Sequence, residues 1–196
     1  MFIAILGCDG SGKSAVINQV VESLQKQGVT TTHGHWRPVA FSSVLMKGVK
    51  TNSDDPHGQV LRGPSSSILK LGWLWWNWWL GWFSFLRKES AAGVVLFDRY
   101  HADILVDPLR YRYGGPMWLA RLASQWMPQP DLVMFLDAEP DVLLSRKQEV
   151  SREALERSRA LYLALCETNN RYHVIDAGQP LEDVVESVLV QMRNLH

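Results

Sequence analysis

Residues Gly7 to Ser14 read GCDGSGKS, a full match to the phosphate-binding pattern GxxxxGK[ST], between the apolar run Phe2 to Leu6 and an apolar-periodic stretch that begins at Lys13. The run reads as a buried strand and the periodic stretch as a helix, so the pattern sits where a strand delivers a loop to a helix N-terminus. There, backbone N–H groups and the positive end of the helix dipole converge on a polyphosphate. Gly7, Gly10 and Gly12 allow the close backbone approach that side chains would block. Lys13 can reach the β and γ phosphates, and the Ser14 hydroxyl can ligate Mg²⁺. The predicted cradle runs from Gly7 through Gly10, Ser11, Gly12, Lys13 and Ser14 to Ala15, and its ligand is a nucleoside triphosphate.

Outward from this loop, further strand candidates are Val94 to Phe97, Leu132 to Leu136 and His173 to Ile175, with a weaker one at Thr30 to His35. Helical patterns separate them at Lys13 to Gln27, Ser66 to Ser90, Met117 to Met127, Pro140 to Gln148, Ser151 to Asn169 and Leu181 to Asn194. Thr51 to Pro64 is rich in Gly, Pro, Asn and Asp and reads as an irregular loop. Alternating β and α implies right-handed crossovers and a parallel sheet covered on both faces, with ligands at the carboxyl ends of its strands. The 196 residues, 46% hydrophobic, suit a single domain spanning 1–196.

Twenty basic and twenty acidic residues cancel, which argues against a nucleic-acid partner. Cys8 lies inside the phosphate loop and Cys166 is far away in sequence, a pattern that fits a reducing cytoplasm. The N-terminus has neither a basic n-region nor a small-residue cleavage site. His33, His35, His57 and His101 show no metal-ligand spacing.

A second chemical signal is VVLFDRY, Val94 to Tyr100, a strand that ends in Asp98, Arg99 and Tyr100 at the edge where the phosphate loop emerges. A carboxylate there can bind Mg²⁺ or its water shell, and an adjacent arginine can fork onto an anionic acceptor. An Asp in that position can equally cap the next helix. Further on, DPLRYRYGGP, Asp107 to Pro116, brings Arg110 and Arg112 together in a stretch without acidic residues from Pro108 to Pro130. It reads either as a site for a phosphate or acidic substrate group or as a solvated basic loop.

With these segments in place, the chain resembles the thymidylate kinase-like branch of the P-loop nucleoside monophosphate kinases. The resemblance rests on GCDGSGKS, on FDRY at Phe97 to Tyr100, on FLDAEPDVLLSRK at Phe135 to Lys147 and on VIDAGQPLEDV at Val174 to Val184, in the family's order. It implies a P-loop NTPase-type three-layer α/β/α fold with a five-stranded parallel sheet and a helical lid. It also implies ATP as phosphate donor with Mg²⁺, and a small-molecule phosphate acceptor. Asp9 then lies near the transferred group, Asp98, Arg99 and Tyr100 hold acceptor and metal, Arg146, Lys147 and Arg152 belong to a basic lid, and Ala177 and Gly178 supply backbone around adenine.

Two segments depart from the family. Where it has Arg-Glu-Pro after the second strand, this chain has HWRPV, which matches Arg37 and Pro38 but lacks the glutamate. Where it carries an Arg and a Gln that read the base, this chain has GWLWWNWWLGW, Gly72 to Trp82. A pocket built to hydrogen-bond a base loses selectivity when those polar groups are gone. Six of nine tryptophans fall between Trp73 and Trp82. On a helix, Leu69, Trp73, Trp76, Leu80 and Phe83 form one apolar line, Leu71, Trp75, Trp79, Trp82 and Leu86 another, with Lys70, Asn77, Ser84 and Lys88 between them. Such a helix at 68–86 is suited to core or subunit packing as in a homodimer, to a membrane surface, or to a stacking pocket.

The resemblance points to an ATP-dependent kinase acting on a nucleoside monophosphate such as dTMP. A sugar, glycan or lipid-linked sugar as acceptor is the alternative, with Asp9 or Asp98 as proton acceptor for a hydroxyl. A nucleotide-binding switch or membrane-associated adaptor is the other class, although the Asn/Thr-Lys-x-Asp guanine motif is absent from the sequence.

Overall fold

In a computed structural model, which describes residues 1–35, 61–147 and 150–195, the first apolar run becomes β1 (Phe2–Gly7) with every residue buried. The other strands are β2 (Thr31–His35), β3 (Val94–Asp98), β4 (Leu132–Asp137) and β5 (Tyr172–Asp176). All pairings are parallel, in the order β2-β3-β1-β4-β5. This is the five-stranded α/β arrangement of the P-loop NTPase type. The unbroken burial of β1, and of β3 and β4 up to their terminal aspartates, requires cover on both faces of the sheet.

The helices are α1 (Lys13–Lys26), α2 (Pro64–Gly81), α3 (Arg87–Ala92), α4 (Asp103–Val106), α5 (Met117–Gln125), α6 (Pro140–Arg146), α7 (Arg152–Thr168) and α8 (Leu181–Arg193). Pro64, expected in a loop, opens α2 at a position where proline's missing N–H costs nothing. The rest of the predicted loop from Thr51 lies largely outside the described residues. Ser151 does not enter α7 but caps it, its hydroxyl accepting from Ala154 N at 3.3 Å.

The tryptophan-rich helix continues through a π-helical turn, Trp82–Leu86, into α3. Its buried line is Ser67, Leu71, Leu74, Trp78 and Gly81, so Trp78, on neither of the two expected apolar lines, is the tryptophan that enters the core. Trp78 is fully buried against Phe97 and Tyr100, with ring centroids 5.5 and 4.9 Å away. Replacing such a residue with alanine costs about 3–5 kcal/mol. Trp76 and Phe83, by contrast, face outward.

Register aligns Ile5 of β1 with Asp98 of β3, and Asp98 with His35 of β2. The phosphate loop and the β3 aspartate therefore leave the sheet at one edge, beside the strand at which the order reverses.

Candidate functional site

Gly10 and Gly12 adopt φ of +87° and +82°, angles that side chains disfavour. A Cβ at Gly10 would also stand 2.7 Å from Leu143 O, whereas Gly12 is open and needs glycine for its backbone angle alone. Beyond them Lys13 is buried, its Nζ donating to Gly7 O and Cys8 O at 2.9 Å each. Burial, reinforced by the nearby Arg99 charge, lowers its pKa to about 8. Burial also pushes the Cys8 thiol up to about 12, which makes it a packing group rather than a nucleophile.

Ser14 Oγ donates to Asp98 Oδ2 at 3.4 Å, and His35 Nδ1 lies 3.6 Å from the same oxygen. Burial works to raise the Asp98 pKa, but the neighbouring His35 side chain and the Lys13 charge outweigh it and hold the carboxylate ionised. Asp98 Oδ1 is buried without a donor among the described residues. A carboxylate oxygen left open beside a serine hydroxyl fits a hard cation that brings further oxygen ligands from phosphate and water.

Arg99 follows at φ +72°, a left-handed angle rare for a non-glycine residue, with its N–H tied to Ile5 O at 3.0 Å. Its guanidinium bridges two carboxylates, Nη2 to Asp9 Oδ1 at 2.6 Å and Nη1 to Asp103 Oδ2 at 3.0 Å. Arg110 Nη1 takes the other oxygen of Asp9 at 2.6 Å. Burial would raise the Asp9 pKa, yet Arg99 and Arg110 together hold it down at about 2. Asp103 is fully buried and also accepts from Tyr111 Oη at 3.2 Å and Tyr162 Oη at 3.0 Å.

Two hollows open on this network. One, of about 360 Å³, lies over Gly10, Gly12, Lys13, Ser14, Asp98 and Lys147. The other, of about 280 Å³, is walled by Leu105, Pro108, Met117, Leu155 and Tyr162, with Arg157 at its border. Asp9, Arg99 and Arg110 line both.

The thymidylate kinase family profile matches residues 86–188, which carry the Asp98-Arg99 strand end, α7 and β5. The chain belongs to the thymidylate kinase family. It is similar along its length to a protein named "Probable thymidylate kinase 1" from Saccharolobus solfataricus, 26% identical over 199 residues, covering 95% of this chain and 94% of that one. Membership makes the chain an ATP-dependent nucleoside monophosphate kinase in class.

Within this kinase, several residues expected at the site stand elsewhere. Tyr100 faces the core, fully buried, donates its hydroxyl to Pro128 O and lines neither hollow. Arg152 is exposed and forks onto Asp141 while also pairing with Glu156, which turns it away from both hollows. Arg112 shapes the loop, its N–H bonded to Leu109 O and its carbonyl to Arg62 N, and it is not among the described residues lining either hollow. Arg146 donates to Ala177 O at 3.0 Å, and Ala177 N donates to Asp137 O, which joins the end of β4 to the loop after β5. Gly178 beside it is exposed, its N–H held by Asp176 Oδ1. Arg37 lies outside the described residues.

Sequence reasoning passed over Asp103 and Tyr162, which belong to the network, Arg157, which borders the second hollow, and Arg159, which braces α7. Asp103 follows Arg99 by one helical turn, a spacing that could have suggested the pair. Tyr162 and Arg157 come from α7, between about fifty and sixty residues later, and nothing local announces them. Arg159 grips Asp137 through two bonds of 2.7 and 2.9 Å and so anchors α7 to the end of β4.

Proposed function

We propose that this kinase transfers the γ-phosphoryl group of ATP, with Mg²⁺, to the phosphate of a nucleoside monophosphate of the dTMP type, and that residues 1–196 act as one kinase domain. One observation carries this reading: Asp9, Arg99 and Arg110 form a wall common to the phosphate-loop hollow and its neighbour. A donor held over Gly10 to Ser14 and an acceptor held in the second hollow would present their phosphates to the same guanidinium groups.

In this reading the loop N–H groups and Lys13 cradle the donor's β and γ phosphates. Lys13 exchanges the carbonyls of Gly7 and Cys8 for phosphate oxygens, which favours its charged form. Mg²⁺ would be held by Ser14 and Asp98 and would neutralise charge on the transferring group. Arg99 and Arg110 clamp the acceptor phosphate, and Arg157 supplies a cation from α7. A phosphate monoester has a second pKa of about 6, so its attacking oxygen is largely ionised at neutral pH and needs no strong base. Asp9 then orients the two arginines, and positioning with charge stabilisation carries the reaction.

The test is steady-state ADP formation by purified protein with Mg²⁺-ATP and dTMP. Turnover in which Arg99→Ala lowers kcat/KM for dTMP more than it raises the KM for ATP supports the assignment. Equal loss for both substrates removes Arg99 from the acceptor side.

A further inference from the structure

His35 takes no part in the proposed transfer, yet strand pairing carries it into the phosphate-loop hollow. It closes β2 in parallel register with Asp98 of β3, which sets the two side chains next to each other on one face of the sheet. The imidazole is exposed and lines the hollow with Lys13 and Ser14. Its Nδ1 lies 3.6 Å from Asp98 Oδ2, and Ser14 Oγ lies 3.4 Å from the same oxygen. An imidazole nitrogen, a hydroxyl and a carboxylate therefore meet at one point from β2, α1 and β3. Asp98 Oδ1 stays buried without a donor among the described residues, so the carboxylate keeps capacity for a further electropositive partner.

A divalent cation fits this arrangement, and the nitrogen bears on which one. Among the described residues no three His, Cys, Asp or Glu side chains gather closely enough to hold a metal alone. The remaining ligands must come from a polyphosphate over the loop and from water, so the site forms only with the nucleotide in place. A neutral imidazole nitrogen coordinates first-row transition cations well, whereas Mg²⁺ favours oxygen. The same ring could instead serve only to orient the carboxylate, and the two roles differ in whether its nitrogen touches the ion.

Taking ATP as the donor, on which this step rests, we propose that His35 Nδ1 joins Ser14 Oγ and Asp98 as a direct ligand of the divalent cation that accompanies the polyphosphate. That nitrogen biases the site from Mg²⁺ toward first-row transition cations. The experiment is pulsed electron paramagnetic resonance of the full chain with Mn²⁺ and a non-hydrolysable ATP analogue, with ultrafiltration to show that the metal–nucleotide complex is bound. Nitrogen modulation is expected, switching from ¹⁴N to ¹⁵N in protein grown with ¹⁵N-histidine and vanishing in His35→Ala while the bound complex persists. The ratio of Mg²⁺ to Co²⁺ needed to displace half of the Mn²⁺ should fall about tenfold in that variant. A bound complex without histidine modulation, including one whose nitrogen signal ignores the label and so belongs to adenine, overturns the proposal and leaves His35 orienting Asp98. An unchanged displacement ratio overturns the bias toward transition cations. Failure of the parent protein to bind the metal–nucleotide complex overturns the ATP assignment itself, and this ligand with it.

Discussion

Arg99 Nη1 and Asp103 Oδ2 lie 3.0 Å apart within one turn of chain, and the buried Asp103 carboxylate also collects the hydroxyls of Tyr111 and Tyr162. A guanidinium on a left-handed residue is thereby fixed by three elements: the end of β3, α4 and α7. Removing Asp103's charge leaves Arg99 buried with one carboxylate partner. Asp103→Asn should lower stability by about 3 kcal/mol and lower kcat/KM for the acceptor at least tenfold, with the KM for ATP little changed. Denaturant titration and steady-state kinetics on the same preparation check both. Unchanged acceptor kinetics would mean that Asp103 supports only the fold.

Lys13 gives a pH-dependent signature. Its folded pKa of about 8 lies below the usual 10.5, so between these values the unfolded chain binds more protons and the ligand-free protein should gain stability as pH rises. A polyphosphate at Nζ favours the ammonium again. ATP binding at pH 8 should therefore take up a fraction of a proton, read by calorimetry in buffers of different ionisation enthalpy. Lys13→Ala should abolish that uptake and reduce kcat by about 10²–10³. Uptake that persists in the variant would assign the proton elsewhere.

Asp9 works in the opposite direction. Its pKa of about 2, against 3.8 for a free carboxyl, supplies stability that is fully present above pH 3.8 and lost as pH falls through 2. The difference corresponds to about 2 kcal/mol. Denaturation midpoints measured across this window should fall less steeply with acid in Asp9→Asn than in the parent protein. Parallel slopes would place the acid sensitivity in other carboxylates.

The two α7 arginines separate by orientation. Arg152 is spent on Asp141 and Glu156, whereas Arg157 borders the second hollow. Arg152→Ala should keep turnover within about twofold, as for an exposed ion pair, while Arg157→Ala should lower kcat/KM for the acceptor about tenfold. The reverse ranking would show that α7 closes over the phosphates through its N-terminal end.

The parallel sheet and the phosphate-loop hollow were legible in the sequence because both are local. GCDGSGKS carries its own strand, turn and helix signals, and VVLFDRY ends at the same edge by sheet geometry alone. The second hollow is assembled by tertiary contact. Arg110 reaches Asp9 across about a hundred residues, and Tyr162 reaches Asp103 across about sixty, distances over which periodicity carries no information. A motif names a residue but not the direction of its side chain, and here the core claims Tyr100 and Asp141 claims Arg152. In α2 the apolar pattern is so wide that it does not select a face, and packing against Phe97 and Tyr100 singles out Trp78.

Transfer of labelled γ-phosphate from Mg²⁺-ATP, with dTMP, other nucleoside monophosphates, nucleosides and sugars as competing acceptors, tests the shared wall of Asp9, Arg99 and Arg110 most directly. Label should appear in dTDP and vanish in Lys13→Ala. Label that enters a sugar hydroxyl or free phosphate, with no nucleoside monophosphate phosphorylated, would contradict the assignment of the second hollow to a nucleotide.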